Sequence, residues 1–250
     1  MTDSAVGIGL VLPEVLGTYS DAGNATVLAQ RLRWRGVDAE IVEVSASDAP
    51  PTGCDIYLLG GGEDTAQYFA ADWLVRHRGL RSALAASAVT LAVCAGLQIL
   101  GQVIIDRSGR AHPGVGLLDV ETEPGPERAV GETVARCTIP GVGLLTGFSN
   151  HGGASTLGSG VAALATVERG PGNDPHSGLE GVLHPNVART GADPPGTCPG
   201  VVGTYLHGPV LARNPNLADH LLSRVLGSPL PALDPGRVPD MPALRAAYLS

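Results

Sequence analysis

Four short apolar runs, Val6–Leu12, Ala39–Val44, Asp55–Leu59 and Val89–Val93, alternate with stretches of helical spacing in the N-terminal part of the chain. Ala25, Leu28, Ala29 and Leu32 recur at three- and four-residue intervals before Gly36, a residue placed to end a helix. Phe69, Trp73, Leu80 and Leu84 do the same within a single predicted helix from Asp64 to Ala86. Compact apolar strands separated by helices are the pattern of a parallel sheet with crossover connections, in which both faces of the sheet are covered.

The pattern then changes. Gly114 to Val167 reads as short strands separated by Gly/Pro turns, which the spacing predicts as antiparallel additions to the sheet. Gly170–Gly200 is dense in Gly, Pro, Asn and Asp and reads mostly as loop, with Val201–Leu206 as a last strand. Asn214-Pro215 has the form of an N-cap with proline at the first helical position. Leu217, Ala218, Leu221, Leu222, Val225 and Leu226 then form one apolar stripe, closed by Gly227. Residues 1–227 are therefore predicted to form one domain, and 228–250 a Pro-rich tail.

Composition narrows the chemistry. A chain of 250 residues with 44% hydrophobic residues can build a core without metal or disulfide staples. Its formal net charge of −8 repels phosphate backbones, so no nucleic-acid partner is expected. All 16 basic residues are arginine. Without lysine the chain has no Walker-type phosphate loop and no Schiff-base amine, so ATP chemistry must reside elsewhere. Cys54, Cys94, Cys137 and Cys198 form no C-x-x-C pair and no zinc spacing, so no metal is expected. Asp3 before a short apolar stretch, with no basic region, argues against a secretory signal. Ser82–Ile105 is uncharged, yet its Ser, Thr, Gly and Gln content reads as a buried core segment and no membrane span. A cytoplasmic protein is expected.

Within that segment an apolar strand runs into Cys94-Ala-Gly-Leu-Gln98 and then into a helical pattern. This is the form of a nucleophile elbow, in which small neighbours relieve crowding at a strained turn. The helix N-terminus is expected to lower the thiol pKa. Cys94 also reads as a small buried hydrophobe. A cysteine nucleophile needs a base, and His207 in Gly203-Thr-Tyr-Leu-His207-Gly-Pro stands just beyond a buried strand, at the edge where α/β sheets present catalytic groups. His151, in Gly147-Phe-Ser-Asn-His151, reads more readily as a turn histidine bonded to backbone. Gly60-Gly61-Gly62 after a strand is either a tight loop or a nest of N–H groups that could hold an oxyanion.

Cys94-Ala-Gly-Leu-Gln98 resembles the nucleophile segment of class I, triad-type glutamine amidotransferases. The His207 segment resembles that of their cobyric-acid-synthase-like (CobB/CobQ-type) branch. The resemblance runs from about Leu10 to Leu226 and implies a flavodoxin-like α/β domain with a mixed, mostly parallel sheet flanked by helices. It implies Cys94 as nucleophile, His207 as general base and acid, and Arg128 as the holder of substrate L-glutamine, for which an arginine fork suits the α-carboxylate. Ala95, Gly61 and Gly62 would supply oxyanion N–H groups, and Gln98 would join the substrate site. Without the resemblance, Arg128 reads as a solvated loop charge.

Gly60–Asp64 with Gln67, Gly147–His151, Glu180-Gly181 and Asn214–Asp219 are similar to one member of that branch, a glutaminase subunit. Its partner is a MurT-type, Mur-ligase-like subunit that amidates D-glutamate of lipid II in peptidoglycan synthesis. This implies a heterodimer with no cofactor in this chain and ATP and Mg on the partner. A cobyrinate-type acceptor, or a non-catalytic scaffold on the same fold, are the alternatives. The chain departs from the family at Pro209, where class I enzymes usually carry the acid of the triad. Glu180 and Asp219 are the nearest replacements by motif, and Asp219 is predicted to face solvent. Pro185–Gly200 is also longer than the family pattern requires.

Overall fold

In the computed structural model, which describes residues 5–17, 21–87, 89–185 and 199–233, the N-terminal alternation is β1 (Val6–Val11), α1 (Ala22–Arg33), β2 (Ala39–Val44), β3 (Ile56–Leu59), α2 (Asp64–Arg76), α3 (Arg78–Ala86), β4 (Val89–Val93) and α4 (Ala95–Leu100). There follow β5 (Val103–Ile105), β6 (Ala111–Pro113), β7 (Val120–Cys137), β8 (Leu144–Leu157), β9 (Ala165–Arg169), β10 (Leu179–Glu180), β11 (Val182–Pro185), β12 (Pro199–Thr204), β13 (Leu206–His207), α5 (Val210–Arg213) and α6 (Pro215–Leu226). The first sheet has the order β11-β12-β4-β3-β1-β2. Its neighbours are parallel except for the antiparallel edge strand β11.

Strands β3 and β4 are buried at every position, as continuous apolar runs in a covered sheet must be. Helix α1 packs with α5 and α6, and α2 with α3 and α4. Leu28 and Leu32 of α1 and Leu221 and Leu222 of α6 are fully or almost fully buried. Each such side chain contributes about 2 kcal/mol relative to exposure. Asp219 of α6 accepts Arg31 Nε at 2.7 Å and Nη2 at 2.6 Å, and Arg35 Nη2 at 2.9 Å, tying α6 to α1. It does not simply face solvent as predicted, because Arg31 of α1 and Arg35 just beyond that helix stand opposite it.

Other departures from the sequence reading have local causes. The predicted long helix breaks at His77, which adopts ψ 67°. Its ring Nδ1 lies 2.7 Å from the Trp73 carbonyl oxygen and its ring packs on the Trp73 indole. The C-terminal stretch of small strands is instead a long hairpin, β7 with β8, in a second sheet. Pro140, Gly141 and Gly143 make its turn, but Pro124, Gly125 and Pro126 do not end a strand. They make an irregularity between Pro124 and Ala129 where the ladder is broken. The region from Gly170 contains β9's partner β10 and the sheet edge β11, separated by Gly181 at φ 66°. Residues 186–198 of the expected loop, and 234–250 of the tail, lie outside the described residues.

Asn214 does stand at the N-cap of α6, and Gly227 ends the helix in the left-handed conformation. The Asn214 side chain makes no cap bond, however. It accepts the N–H of Thr146 at 2.9 Å and donates to the Thr146 carbonyl at 2.8 Å, clamping α6 to β8. Among the described residues no helix is long and apolar enough to cross a membrane.

Candidate active site

Cys94 stands between the buried strand β4 and helix α4 with φ 51° and ψ −107°, conformations that L residues rarely hold. Such strain costs about 1–3 kcal/mol and persists where surroundings fix it. The Cys94 N–H donates to the Thr204 carbonyl at 2.8 Å, and the Gly96 N–H to the Gly60 carbonyl at 3.2 Å. A Cβ at position 96 would lie 2.8 Å from the Leu59 carbonyl oxygen, so only glycine lets the elbow press on β3. The local pattern that the sequence suggested is thus formed, at the carboxyl edge of the sheet.

The thiol itself is deep. Burial, helped by the negative charge of Asp21, pushes Cys94 up to about 12, and the Ala95 N–H pulls it only partly back. The short helix α4 does not overcome desolvation, so the Cys94 thiol is held toward its neutral form.

A cleft opens over Cys94. Its walls include Gly62, Gln98, Arg128 and His151. Arg128 arrives there because it sits in the broken segment of the β7–β8 ladder. Its Nε donates to Asn150 Oδ1 at 2.7 Å, which fixes the guanidinium at the wall. Gly61 and Gly62 lie between β3 and α2, where the Gly61 N–H donates to Asp21 Oδ2 at 2.7 Å. Asp21 is 3% exposed and burial raises its pKa. Asp21 immediately precedes helix α1, and an aspartate before a helix is the only local signal the sequence gives for it.

His207 is buried on β13, where it pairs with Phe148 of β8, and it is not among the residues that line the cleft. It follows three positions after Thr204, whose carbonyl binds the Cys94 N–H, so the adjacent strands β4 and β12 bring both segments to one edge. Burial, then the charges of His151 and Arg128, push His207 down to about 4. His151 lines the cleft directly. Its Nδ1 lies 2.8 Å from the Gly153 carbonyl oxygen, the backbone bond expected of it, and its ring stacks on Tyr205 at 3.8 Å.

Gln98 is engaged at both ends of its amide. It accepts Gln67 Nε2 at 2.5 Å and donates to the Tyr205 hydroxyl at 2.9 Å. Tyr205 continues to Ser155 at 2.6 Å and Ser155 to Thr122 at 2.6 Å. This chain of buried bonds fixes the floor of the cleft. Glu180 is fully buried; its Oε1 accepts the Thr204 hydroxyl and the Tyr205 N–H, and burial pushes it up to about 7. Its carboxylate holds the strand end that precedes His207.

A thiol on a strained elbow, with an arginine in the cleft above it and a histidine segment at the same sheet edge, is an arrangement that can serve acyl transfer from an amide. The chain belongs to the CobB/CobQ-like glutamine amidotransferase family, whose model matches residues 7–215. It is a glutamine amidotransferase. It is 32% identical over 215 residues to subunit GatD of the glutamine-hydrolysing lipid II isoglutaminyl synthase of Staphylococcus aureus, covering 85% of this chain and 81% of that protein. The GatD subunit of Streptococcus pneumoniae is 30% identical over the same share of this chain and 77% of its own. Cobyric acid synthase of Rhizobium leguminosarum bv. trifolii is 30% identical over 181 residues, but the match spans only 32% of that enzyme. In fold, the chain is similar to a glutamine amidotransferase of Thermotoga maritima, with a TM-score of 0.52 at 13% identity over 98% of this chain and 90% of that one. The glutaminase domain of Trypanosoma brucei CTPS gives 0.51 at 10% identity over 95% and 99%.

Proposed function

We propose that this chain is the glutaminase subunit of a two-subunit, ATP-dependent ligase that amidates the D-glutamate of lipid II to D-isoglutamine. The observation that carries the reading is coverage: the match extends over 81% of the S. aureus GatD subunit and only 32% of a cobyric acid synthase. More of this chain is matched, 85% against 68%, and at higher identity, 32% against 30%. The Mur-ligase-like, MurT-type partner would hold ATP and Mg, which suits a chain with no lysine for a phosphate loop. We place the reaction in the cytoplasm, where ATP is available.

Arg128 holds the α-carboxylate of L-glutamine and presents the side-chain amide to Cys94. His207 takes the thiol proton as sulfur attacks the amide carbon. The oxyanion is received by the Ala95 N–H and by the Gly61–Gly62 loop once Asp21 releases Gly61. His207 returns the proton to the leaving nitrogen, ammonia departs, and water hydrolyses the thioester to glutamate. With Pro209 in the usual place of the acid and Glu180 engaged by Thr204 and Tyr205, a carboxylate from the partner completes the triad on assembly and restrains hydrolysis until the acceptor is present.

The test is reconstitution. The complex with a Mur-ligase-like subunit should amidate lipid II when given glutamine and ATP, and should leave cobyrinate-type acceptors unchanged. Amidation of the corrinoid acceptor instead would overturn the assignment.

A further inference from the structure

Arg107 lies in the turn that joins β5 to β6, at the rim of the cleft over Cys94. The turn is held firmly. Asp106 Oδ1 accepts the Ser108 N–H at 2.8 Å, the Ser108 hydroxyl at 2.6 Å and the Arg110 N–H at 3.0 Å. Its Oδ2 is 2.8 Å from His112 Nε2, and the His112 ring stacks on Tyr68 of α2 at 3.8 Å. Arg107 is thus presented from a fixed base, and the acid beside it is already satisfied.

Gly152 of β8 measures the convergence. A Cβ built there would lie 3.5 Å from Arg107 Nη2 and 3.8 Å from Arg128 Nη1. Two guanidinium groups, one from the β5–β6 turn and one from the broken β7 ladder, meet over one point of the β8 backbone. Among the described residues neither forms an ion pair. Like charges brought together repel unless an anion lies between them. Glu63, Asp64, Asp106 and Glu123 line the same cleft, and none of them forms an ion pair with either guanidinium.

We propose that Arg107 is the second arm of a carboxylate clamp, binding the α-carboxylate of glutamine together with Arg128 and selecting the free amino acid over glutamine whose carboxyl is blocked. The proposal rests on the reading that the cleft takes glutamine. A clamp of two forks distinguishes a carboxylate from an amide by charge as well as geometry, since an amide offers one acceptor and no charge.

Steady-state hydrolysis by the full chain in its native complex tests this, with L-glutamine and with glutamine α-amide as substrates. Arg107→Gln should raise KM for glutamine by about tenfold with kcat little changed, the scale of one charge-assisted bond at a solvated rim. It should leave kcat/KM for the α-amide near its wild-type value. Arg110→Gln removes a charge from the same turn outside the cleft and should keep the wild-type KM. An unchanged KM in Arg107→Gln, an equal loss on both substrates, or an equal loss in Arg110→Gln would each overturn the clamp. If the wild-type complex does not turn glutamine over at all, the underlying reading fails and the clamp with it.

Discussion

The backbone N–H of Gly61 donates to the buried carboxylate of Asp21 across 2.7 Å, so a donor expected at the oxyanion is engaged by the protein itself. The same carboxylate contributes to keeping Cys94 protonated. Asp21 therefore restrains both partners of the first chemical step. Asp21→Asn removes the charge and keeps a side-chain oxygen able to accept the Gly61 N–H. The alkylation of Cys94 by iodoacetamide, followed on its peptide by mass spectrometry, should shift to lower pH in this variant. Superimposable rate–pH profiles would show that the thiol does not feel Asp21.

His207 gives a second pH signature. Its folded value of about 4, set by burial, lies below the ordinary 6.5. A general base with that value stays deprotonated until the solution is quite acidic. The acid limb of kcat/KM for the isolated chain should therefore lie well below 6.5 and move upward when a partner carboxylate reaches the imidazole in the complex. An acid limb at the same pH in both states would remove the case for a carboxylate in trans.

Glu180 should affect stability through its proton. Its pKa is raised from 4.5 to about 7 by burial, so the folded state binds the proton more tightly than the unfolded chain. That contribution is fully present below 4.5 and is lost as pH rises through about 7. Glu180→Gln keeps the oxygen that accepts from Thr204 and Tyr205 and cannot ionise. The variant should gain Tm relative to wild type as pH rises from about 5 to about 8, whereas a constant difference would mean that Glu180 does not titrate in that window.

Asp219 is a structural tie between α6 and α1. Asp219→Ala would leave Arg31 and Arg35 without their carboxylate. With Asp219 30% exposed the loss is screened, and roughly 2 kcal/mol of stability should go, less than for a fully buried pair. Glutamine turnover at a temperature where the variant is folded should not change. A large fall in kcat with unchanged stability would place Asp219 in the chemistry.

Much of the first sheet was legible because its signal is local. The Val89–Val93 run fixes a doubly covered strand, and Cys94-Ala-Gly can make only a tight turn before Leu97 and Leu100 resume helical spacing. The β7–β8 hairpin was not legible, since Gly125-Pro126 looks like a strand end and acts as an irregularity within a longer ladder. That same break carries Arg128 into the cleft, so its place could not be read from spacing. The thiol's ionisation was also misjudged: the sequence shows a helix N-terminus at Cys94 but not the burial that outweighs it. Asp21 and Arg107 come to the site from outside the strand-turn-helix segment, through long-range packing that no short motif records, whereas His151 lies in the Gly147–His151 motif.

The proposed reaction turns on the attack of Cys94 on the amide of glutamine. Purified chain, alone and with its ligase partner, should be given L-glutamine, and the glutamate and ammonia released should be measured for wild type and Cys94→Ser. Wild type should release equimolar products and the variant should lose at least about a hundredfold, the scale expected when a covalent nucleophile is removed, with the circular dichroism spectrum unchanged. Turnover near the wild-type rate in a folded Cys94→Ser protein would rule out Cys94 as the nucleophile.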